Sequence, residues 1–347
     1  MHLALFCHVI DNYGDAGVAW RLARRLGVLG HSVELWIDAT DTLERLAPAL
    51  NIHPLVQVCA WTEATPDTHP DAAICLFGAV LPESLLQRWA KAGLQPPRGE
   101  ATAGRVGADT PAPVWINLEY LTCEDWALGC HGLPSPHPRL PLTQWFYFPG
   151  LRAGLGGIVC EPAPEPLPAD TGALRISLFS YANAALPTLL HAWNDSAQPI
   201  ELWLCPGPAV AQVAATPLPP GNLRIRQLPW LAPDAYDDLL RSCHLNFVRG
   251  EDSFVRAQLA GRPLVWQAYV QEENAHYAKI EAFLAIYAPG TTLTAFHTAW
   301  NAQTPTDWPA LEADLARLQD NAQQWRKQVM AQGDLAENLL KFINERL

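Results

Sequence analysis

Basic residues are scarce in this chain of 347 residues, which has 23 lysines and arginines against 35 aspartates and glutamates and a formal net charge of -12. A protein whose main partner is nucleic acid needs a surplus of lysine and arginine to neutralise the phosphate backbone. The charge balance therefore argues against nucleic acid as the main partner, although it leaves room for a local basic patch.

Charged residues of either sign are also few, at 17%, whereas hydrophobic residues make up 49%. A chain this apolar can bury a large core, which excludes wholesale disorder. Its 347 residues exceed one ordinary domain. We therefore expect two domains of about 150–180 residues each.

The sequence has no regular cysteine pattern and no long apolar run. Its eight cysteines are far apart and form no Cys-x-x-Cys pair, which argues against a zinc site and against a disulfide framework. The apolar stretch at residues 3–10 is too short to span a membrane and lacks the basic start and the cleavage site of a signal peptide. We expect a soluble, cytoplasmic protein without a membrane partner.

Two motifs that commonly bind diphosphates are absent. Asp-x-Asp, whose carboxylates hold a metal ion on a diphosphate, occurs nowhere in the chain, so we expect no metal site. The loop at residues 11–17 is rich in glycine but lacks Gly-x-Gly-x-x-Gly, and its carboxylates, Asp11 and Asp15, would repel a pyrophosphate. This loop is therefore expected to do something other than bind a dinucleotide.

Asp11 and Asp15 are four residues apart across a predicted turn between a strand and a helix. Two carboxylates at this spacing can share one small site, which suits a cationic acceptor or a general base. The alternative is purely structural, with Asp11 in an Asx-turn and Asp15 capping the helix that begins near Gly17.

Apolar runs and their periods predict two successive α/β patterns. The predicted strands are residues 3–10, 33–37, 72–77, 114–118, 174–179, 201–204, 224–228, 245–248 and 264–266, and the predicted helices include 18–26, 187–193, 236–241 and 275–284. A run of alternating prolines at 162–168 forbids a regular helix and favours an extended spacer. We place the domain boundary there, which gives domains at 1–160 and 161–310. Residues 311–347 have a helical period and are expected to pack across both domains.

Residues 246–256 form the stretch around which the chain is organised. They predict a strand, a tight turn at Gly250 and a helix, whose first N–H groups and positive dipole end suit a phosphate. Arg249 adds a fork of donors and Ser253 a hydroxyl. Glu251 and Asp252 either begin the helix or hold ligand hydroxyls. The alternative is helix capping by Asp252 or Ser253 beside a surface arginine.

The run Arg-Gly-Glu-Asp-Ser-Phe at 249–254 and the run Ile-Asp-Asn-Tyr-Gly-Asp-Ala-Gly at 10–17 resemble the EarP family of bacterial glycosyltransferases. Shorter family-like stretches occur in the right order at 115–120, 148–150, 177–181 and 266–279. The resemblance covers nearly the whole chain.

This resemblance implies an α/β fold of GT-B architecture, in which two Rossmann-like domains face a cleft. The N-terminal domain would bind the acceptor and the C-terminal domain the nucleotide sugar. The implied activity is an inverting, metal-independent transfer of rhamnose from dTDP-β-L-rhamnose to an arginine of elongation factor P, with no cofactor besides the donor substrate. The alternatives are a GT-B glycosyltransferase with another acceptor and a non-enzymatic nucleotide-sugar-binding module.

Carried over by position, the resemblance also implies site residues. Asp11 and Asp15 match the catalytic aspartates, and we expect Asp15 to be the general base while Asp11 orients the guanidinium. The implied donor-binding residues are Phe179, Tyr181, Arg249, Glu251, Asp252 and Ser253. Tyr13 stands where the family carries an aromatic residue and is a candidate on the acceptor side.

Three further questions concern residues near the predicted site. Gln258, in the second turn of the donor-side helix, is a candidate for donor binding, with simple solvent exposure as the alternative. Asn117 and Glu119 end a predicted strand and are either acceptor-side residues or a polar rim for the loop backbone. The aromatic residue that stacks on thymine stays open among the four candidates Phe179, Tyr181, Trp230 and Phe254.

Overall fold

A computed structural model of the chain shows alternating strands and helices. It describes residues 1–10, 12–47, 53–62, 66–93, 112–161, 172–270 and 272–347. Its strands are β1 (His2–Cys7), β2 (Ser32–Ile37), β3 (Val56–Ala60), β4 (Ala72–Leu76), β5 (Val114–Leu118), β6 (Pro134–Pro136), β7 (Thr143–Tyr147), β8 (Leu174–Leu178), β9 (Ile200–Leu204), β10 (Leu223–Gln227), β11 (Leu245–Arg249) and β12 (Leu264–Gln267). Its helices are α1 (Asn12–Val28), α2 (Thr40–Leu46), α3 (Glu83–Gly93), α4 (Trp126–Cys130), α5 (Leu186–Asn194), α6 (Ala209–Ala215), α7 (Pro233–Ser242), α8 (Asp252–Ala260), α9 (Ala275–Tyr287), α10 (Thr292–Asn301), α11 (Trp308–Ala331) and α12 (Leu335–Asn344).

The chain divides into two compact units. The first unit comprises residues 1–159 and 333–347, and the second comprises residues 160–332. One of the sequence expectations differs from this division. The expected closing segment at 311–347 is shared, because α11 lies in the second unit and α12 in the first. The proline run at 162–168 lies outside the described residues.

Each unit is built on one sheet with the strand order of a Rossmann fold. Within the described residues, the first sheet runs β3-β2-β1-β4-β5-β7-β6 and the second β10-β9-β8-β11-β12. The second sheet is parallel throughout, and in the first only β6 pairs antiparallel, with β7. The predicted α/β fold of two Rossmann-like sheets is thus confirmed. In such sheets ligands bind where the strand order reverses, which here is between β1 and β4 and between β8 and β11.

The first strand shows why the apolar runs of the sequence are continuous. Residues 3–7 of β1 are fully buried, and their side chains alternate between two cores. Leu3 and Leu5 pack in a cluster with α1 and α12, whereas Ala4 and Phe6 pack in a cluster with α3. A strand covered by helices on both faces needs apolar residues at every position.

All eight cysteines lie among the described residues and are free thiols. Burial raises the pKa of Cys75, Cys123, Cys205 and Cys243 to about 12, so these thiols stay protonated. In the described part of the chain, no helix combines the length and the apolar character that a membrane crossing requires.

The core of the second unit contains a histidine that is neutral in the folded state. His297 on α10 is fully buried, and its Nε2 accepts a hydrogen bond from the backbone N–H of Trp266 at 3.0 Å. Burial lowers the pKa of His297 from 6.5 to about 3. Because the unfolded chain binds this proton more readily than the folded one, the contribution of His297 to stability is complete above pH 6.5. It is lost as the pH falls towards 3, by about 1.4 kcal/mol per pH unit.

The first prediction is that acid destabilises the second unit through His297. Unfolding in urea, followed at about pH 7.5 and about pH 5, will show a smaller acid-induced loss of stability in His297→Gln than in the wild type. Glutamine keeps an acceptor for the Trp266 N–H but takes up no proton. Equal losses in the two proteins would contradict this role of His297.

Candidate active site

In the second unit, the predicted strand, turn and helix of residues 246–256 are present as β11, Gly250 and α8. Gly250 has a φ of +62°, a conformation that glycine adopts without strain. Its N–H donates to Gln267 O at 3.3 Å, and its carbonyl accepts from Trp266 Nε1 at 2.8 Å. The turn is therefore fixed by β12, and α8 starts where β8 and β11 meet at the reversal of strand order.

The guanidinium of Arg249 lies between two aromatic rings at this point. Its central carbon is 4.5 Å from the ring centroid of Phe179 and 4.6 Å from that of Tyr181. Both rings follow β8, which pairs with β11. Such cation–π contacts hold the planar fork in one place and leave its edge N–H groups to bind an anion.

The Ser253 side chain stabilises the turn between β11 and α8. Its side chain is buried, and its hydroxyl accepts from the Arg249 N–H at 3.1 Å and donates to the Arg249 carbonyl. The hydroxyl therefore fixes the backbone conformation of Arg249. The predicted contact of Ser253 with a diphosphate stays a prediction. The alternative that Asp252 or Ser253 caps the helix is wrong. The N-cap residue of α8 is Glu251, and among the described residues its side chain makes no capping hydrogen bond. Glu251 and Asp252 are both half-buried at the start of α8.

Gln258 is placed differently from the sequence expectation. It is fully buried, its Nε2 donates to Phe254 O at 3.2 Å, and its Oε1 accepts from Trp325 Nε1 at 2.6 Å. The solvent-exposed alternative is therefore wrong, whereas the donor-binding role stays a prediction, for an amide whose oxygen and nitrogen are both bonded within the second unit. The amide joins α8 to α11, because Trp325 on α11 needs an acceptor for its indole N–H in the core.

The second prediction follows from this placement. Gln258→Ala leaves the Trp325 N–H buried without its acceptor, which will lower the free energy of unfolding by about 1–3 kcal/mol. The affinity for dTDP, the nucleotide that the resemblance implies as ligand, will equal that of the wild type in calorimetry. Gln227→Ala, at an exposed glutamine on β10, is the matched control and will change neither quantity. A loss of dTDP affinity without a loss of stability would contradict this prediction and would indicate that Gln258 binds the donor.

The structure narrows the aromatic candidates for stacking on thymine. Phe254 is buried, with its ring stacked on Trp266 at 4.1 Å and edge-on to Phe283 at 4.8 Å. It therefore belongs to the core and presents no face to a base. Trp230 is 42% exposed, and it stays a candidate with the two rings that flank Arg249.

In the first unit, Asp15 lies at the carboxyl end of β1, and Asp11 lies outside the described residues. Helix α1 begins at Asn12, earlier than predicted, so Asp15 lies within its first turn and does not cap it. The Asp15 side chain is 1% exposed, and its Oδ2 accepts from the Ile10 N–H at 2.8 Å. The carboxylate is therefore held by the loop that leads into α1.

Tyr13, on the same turn, is half-buried and packs against the core cluster of the first unit. The other acceptor-side candidates form a pair at the end of β5. Asn117 is buried and donates from Nδ2 to Glu119 Oε1 at 2.6 Å. The Glu119 N–H donates to Tyr147 O at 2.9 Å, which continues the pairing with β7. The pair lies beside the reversal of strand order, and its contact with an acceptor stays a prediction.

Sequence reasoning missed several residues at these strand ends. The half-exposed Tyr269 lies 5.9 Å from Tyr181, ring centroid to ring centroid, on the loop after β12. In the first unit, His8, Asp38 and Trp61 directly follow the three adjacent strands β1, β2 and β3. A signal existed for two of them, because His8 interrupts an apolar run and Asp38 directly follows a predicted strand. Contacts between strands cannot be read from a single sequence.

The described residues contain no group of three or more His, Cys, Asp or Glu side chains arranged to hold a metal ion. For an anionic ligand, the second unit offers Arg249 and the start of α8. The first unit offers a buried carboxylate at the corresponding edge of its sheet. Arg249 in the second unit suits an anionic ligand, and the carboxylate of Asp15 in the first unit suits a cationic one.

Comparison with known proteins connects this arrangement to one family. The family model described as "Elongation-Factor P (EF-P) rhamnosyltransferase EarP" matches residues 3–167 and 164–344. Similar proteins include the protein-arginine rhamnosyltransferase of Pseudomonas aeruginosa, 38% identical with 97% of each chain covered. That of Pseudomonas putida is 37% identical, with 99% of this chain and 98% of the relative covered.

Solved structures agree with this relationship. A structure of EarP-mediated arginine glycosylation of translation elongation factor EF-P has a TM-score of 0.57 and 29% identity, covering 100% of this chain and 99% of the other. The spinosyn rhamnosyltransferase SpnG (TM-score 0.55, 14% identity, 99% and 100% covered) and MurG of Acinetobacter baumannii (0.53, 15%, 99% and 99%) share the fold, which is GT-B. The family match over nearly the whole chain and the identity of its relatives show that this chain belongs to the EarP family of glycosyltransferases.

Proposed function

We propose that this chain transfers rhamnose from dTDP-β-L-rhamnose to an arginine side chain of elongation factor P. The observation that carries the proposal is the match of the EarP family to residues 3–167 and 164–344, since its description specifies both rhamnose and elongation factor P. The protein-arginine rhamnosyltransferases similar along their full length support arginine as the acceptor. The reaction then belongs to the cytoplasm and involves neither a membrane nor nucleic acid.

The donor half of the proposal rests on Arg249 and the start of α8. When the glycosidic bond breaks, negative charge develops on the departing dTDP. A guanidinium held by Phe179 and Tyr181 and the positive end of a helix dipole are donors that are oriented before the reaction starts. Glu251 and Asp252 would accept hydrogen bonds from the sugar hydroxyls. The proposal assigns the leaving-group charge to these groups and needs no metal ion.

The acceptor half must overcome the basicity of arginine, whose guanidinium has a pKa above about 12. Such a group attacks only if a nitrogen regains lone-pair character. Paired carboxylates answer this need, because one can orient and polarise the cation while the other removes a proton. We assign the base to Asp15, whose side chain is buried at the end of β1, and the orienting role to Asp11.

The proposed reaction is a single in-line displacement. A guanidinium nitrogen forms a bond to the anomeric carbon, the bond from that carbon to the diphosphate oxygen breaks, and the proton passes to Asp15. Attack opposite the leaving group inverts the configuration. A β-linked donor then yields an α-linked rhamnosyl-arginine.

The finer parts of the proposal are tested by following the reaction by NMR. Purified elongation factor P is incubated with the enzyme and dTDP-β-L-rhamnose, with and without a chelator. The expected result is an α-linked product at an unchanged rate in chelator, and no product from UDP-glucose. A β-linked product would contradict inversion, and a chelator-sensitive rate would contradict metal independence.

A further inference from the structure

A cluster of three side chains at the carboxyl ends of strands in the first sheet has no part in the mechanism above. The register of the strands makes His8, Asp38 and Trp61 the residues that follow β1, β2 and β3. The rings of His8 and Trp61 are stacked, with centroids 3.9 Å apart and an angle of 17° between their planes. We refer to these three residues as the His8 cluster.

Asp38 connects this cluster to the chain that leads into the catalytic loop. Its Oδ1 accepts from the Val9 N–H at 3.0 Å, and its Oδ2 lies 3.0 Å from Nδ1 of His8. An ionised carboxylate can only accept, so Nδ1 of His8 carries the proton. Asp38 therefore holds the side chain of one loop residue and the backbone of the next.

The following backbone amide is held by the other carboxylate. The Ile10 N–H donates to Asp15 Oδ2 at 2.8 Å. Successive amides at Val9 and Ile10 are thus fixed from the end of β2 and from the first turn of α1. These bonds place both carboxylates near the end of β1. Burial first, and then the charges of Asp15 and Asp38, raise the pKa of the Cys7 thiol. The Ile10 N–H binds the carboxylate of Asp15, so the bond from Val9 to Asp38 fixes the loop segment directly before the amide that holds Asp15.

The His8 cluster is too exposed to serve mainly as a stabilising ion pair. The side chains of His8 and Asp38 are 46% and 36% exposed, and ion pairs in such positions contribute little to stability. Removing Asp38 is therefore expected to leave the fold intact. What it removes is the acceptor that fixes the Val9 amide.

We propose that Asp38, oriented by His8 and Trp61, is a positioning residue that fixes the loop before α1, whose Ile10 N–H holds the carboxylate of Asp15 for transfer to the acceptor. The inference rests on the proposed function, because it assumes that Asp15 is the general base. A displacement of about 1 Å in a catalytic group can cost about 100-fold in rate. Asp38→Ala will therefore lower kcat by about 10-fold to 100-fold while the KM for the donor stays unchanged.

Asp38→Asn provides the conservative comparison. Its amide oxygen still accepts from the Val9 N–H, so it will recover most of the lost kcat. Asp41→Ala is the matched control. It removes an exposed carboxylate three residues further along, on α2, and will leave kcat at the wild-type value.

The experiment measures turnover and amide hydrogen exchange in the full chain of all four proteins. Besides the fall in kcat, exchange at Val9 will be faster in Asp38→Ala than in the wild type and restored in Asp38→Asn. The proposal is overturned if Asp38→Ala keeps wild-type kcat, if Asn is no better than Ala, or if exchange at Val9 does not change. Wild-type protein that transfers no rhamnose would refute the proposed function instead, and the exchange data would still decide whether Asp38 holds the loop.

Discussion

Asp15→Asn will lower kcat for rhamnose transfer by about 100-fold to 10,000-fold, the range that a general base contributes. The amide oxygen of asparagine still accepts from the Ile10 N–H, so the loop before α1 keeps its shape. The variant loses the ability to take a proton from the guanidinium of the acceptor. Rates are measured at saturating donor and acceptor by the appearance of modified elongation factor P.

Two further measurements separate this loss from a general defect. The dTDP affinity of Asp15→Asn will equal that of the wild type, since the donor is assigned to the second unit, and its thermal unfolding will be close to that of the wild type. Asp41→Asn carries the same change at an exposed aspartate on α2 and will retain full activity. Wild-type turnover in Asp15→Asn would remove Asp15 from the role of base.

Arg249→Ala will weaken dTDP binding and transfer together. A hydrogen bond from a charged donor contributes about 1.5–3 kcal/mol, so the Kd for dTDP will rise by about 10-fold to 100-fold. Because the charge on the diphosphate grows as the donor bond breaks, kcat will fall as well, by about 100-fold to 1,000-fold. Calorimetry with dTDP and single-turnover rates measure the two effects separately.

The chain offers a matched control for this variant. Arg226 also stacks on an aromatic ring, with its guanidinium carbon 5.0 Å from the ring centroid of Trp203, but it is exposed on the edge strand β10. Arg226→Ala will bind dTDP as the wild type does. Arg249→Lys keeps the charge but loses the planar fork, so it will fall between wild type and Arg249→Ala. Unchanged dTDP affinity in Arg249→Ala would contradict the assignment of the diphosphate to this arginine.

Much of the fold could be predicted because buried parallel strands are apolar at every position. The prediction for β5 at 114–118 matches the structure in full, and that for β8 at 174–179 extends one residue too far. The edge strand β3 was missed, because its residues are only partly buried and its apolar pattern is correspondingly weak. The predicted helix at 18–26 was too short, since α1 already begins at Asn12 within the glycine-rich loop.

The site was predictable only where neighbouring residues in the sequence act together. The turn at Gly250 follows from its own sequence, and so does the helix after it. The burial of Gln258 could not be predicted because every residue of α8 from Ser253 to Ala260 is buried, so no polar face of the helix distinguishes the core from the ligand side. The link between Asp38 and Val9 joins residues on different strands, which no local pattern reveals.

The central claim is tested most directly by mass spectrometry of elongation factor P after incubation with this protein and dTDP-β-L-rhamnose. The account predicts a gain of one deoxyhexose, located on a single arginine by fragmentation and absent when that arginine is replaced by lysine. No gain of mass, while dTDP-β-L-rhamnose still binds the protein, would contradict the proposed acceptor, and a sugar on any other type of residue would contradict arginine transfer.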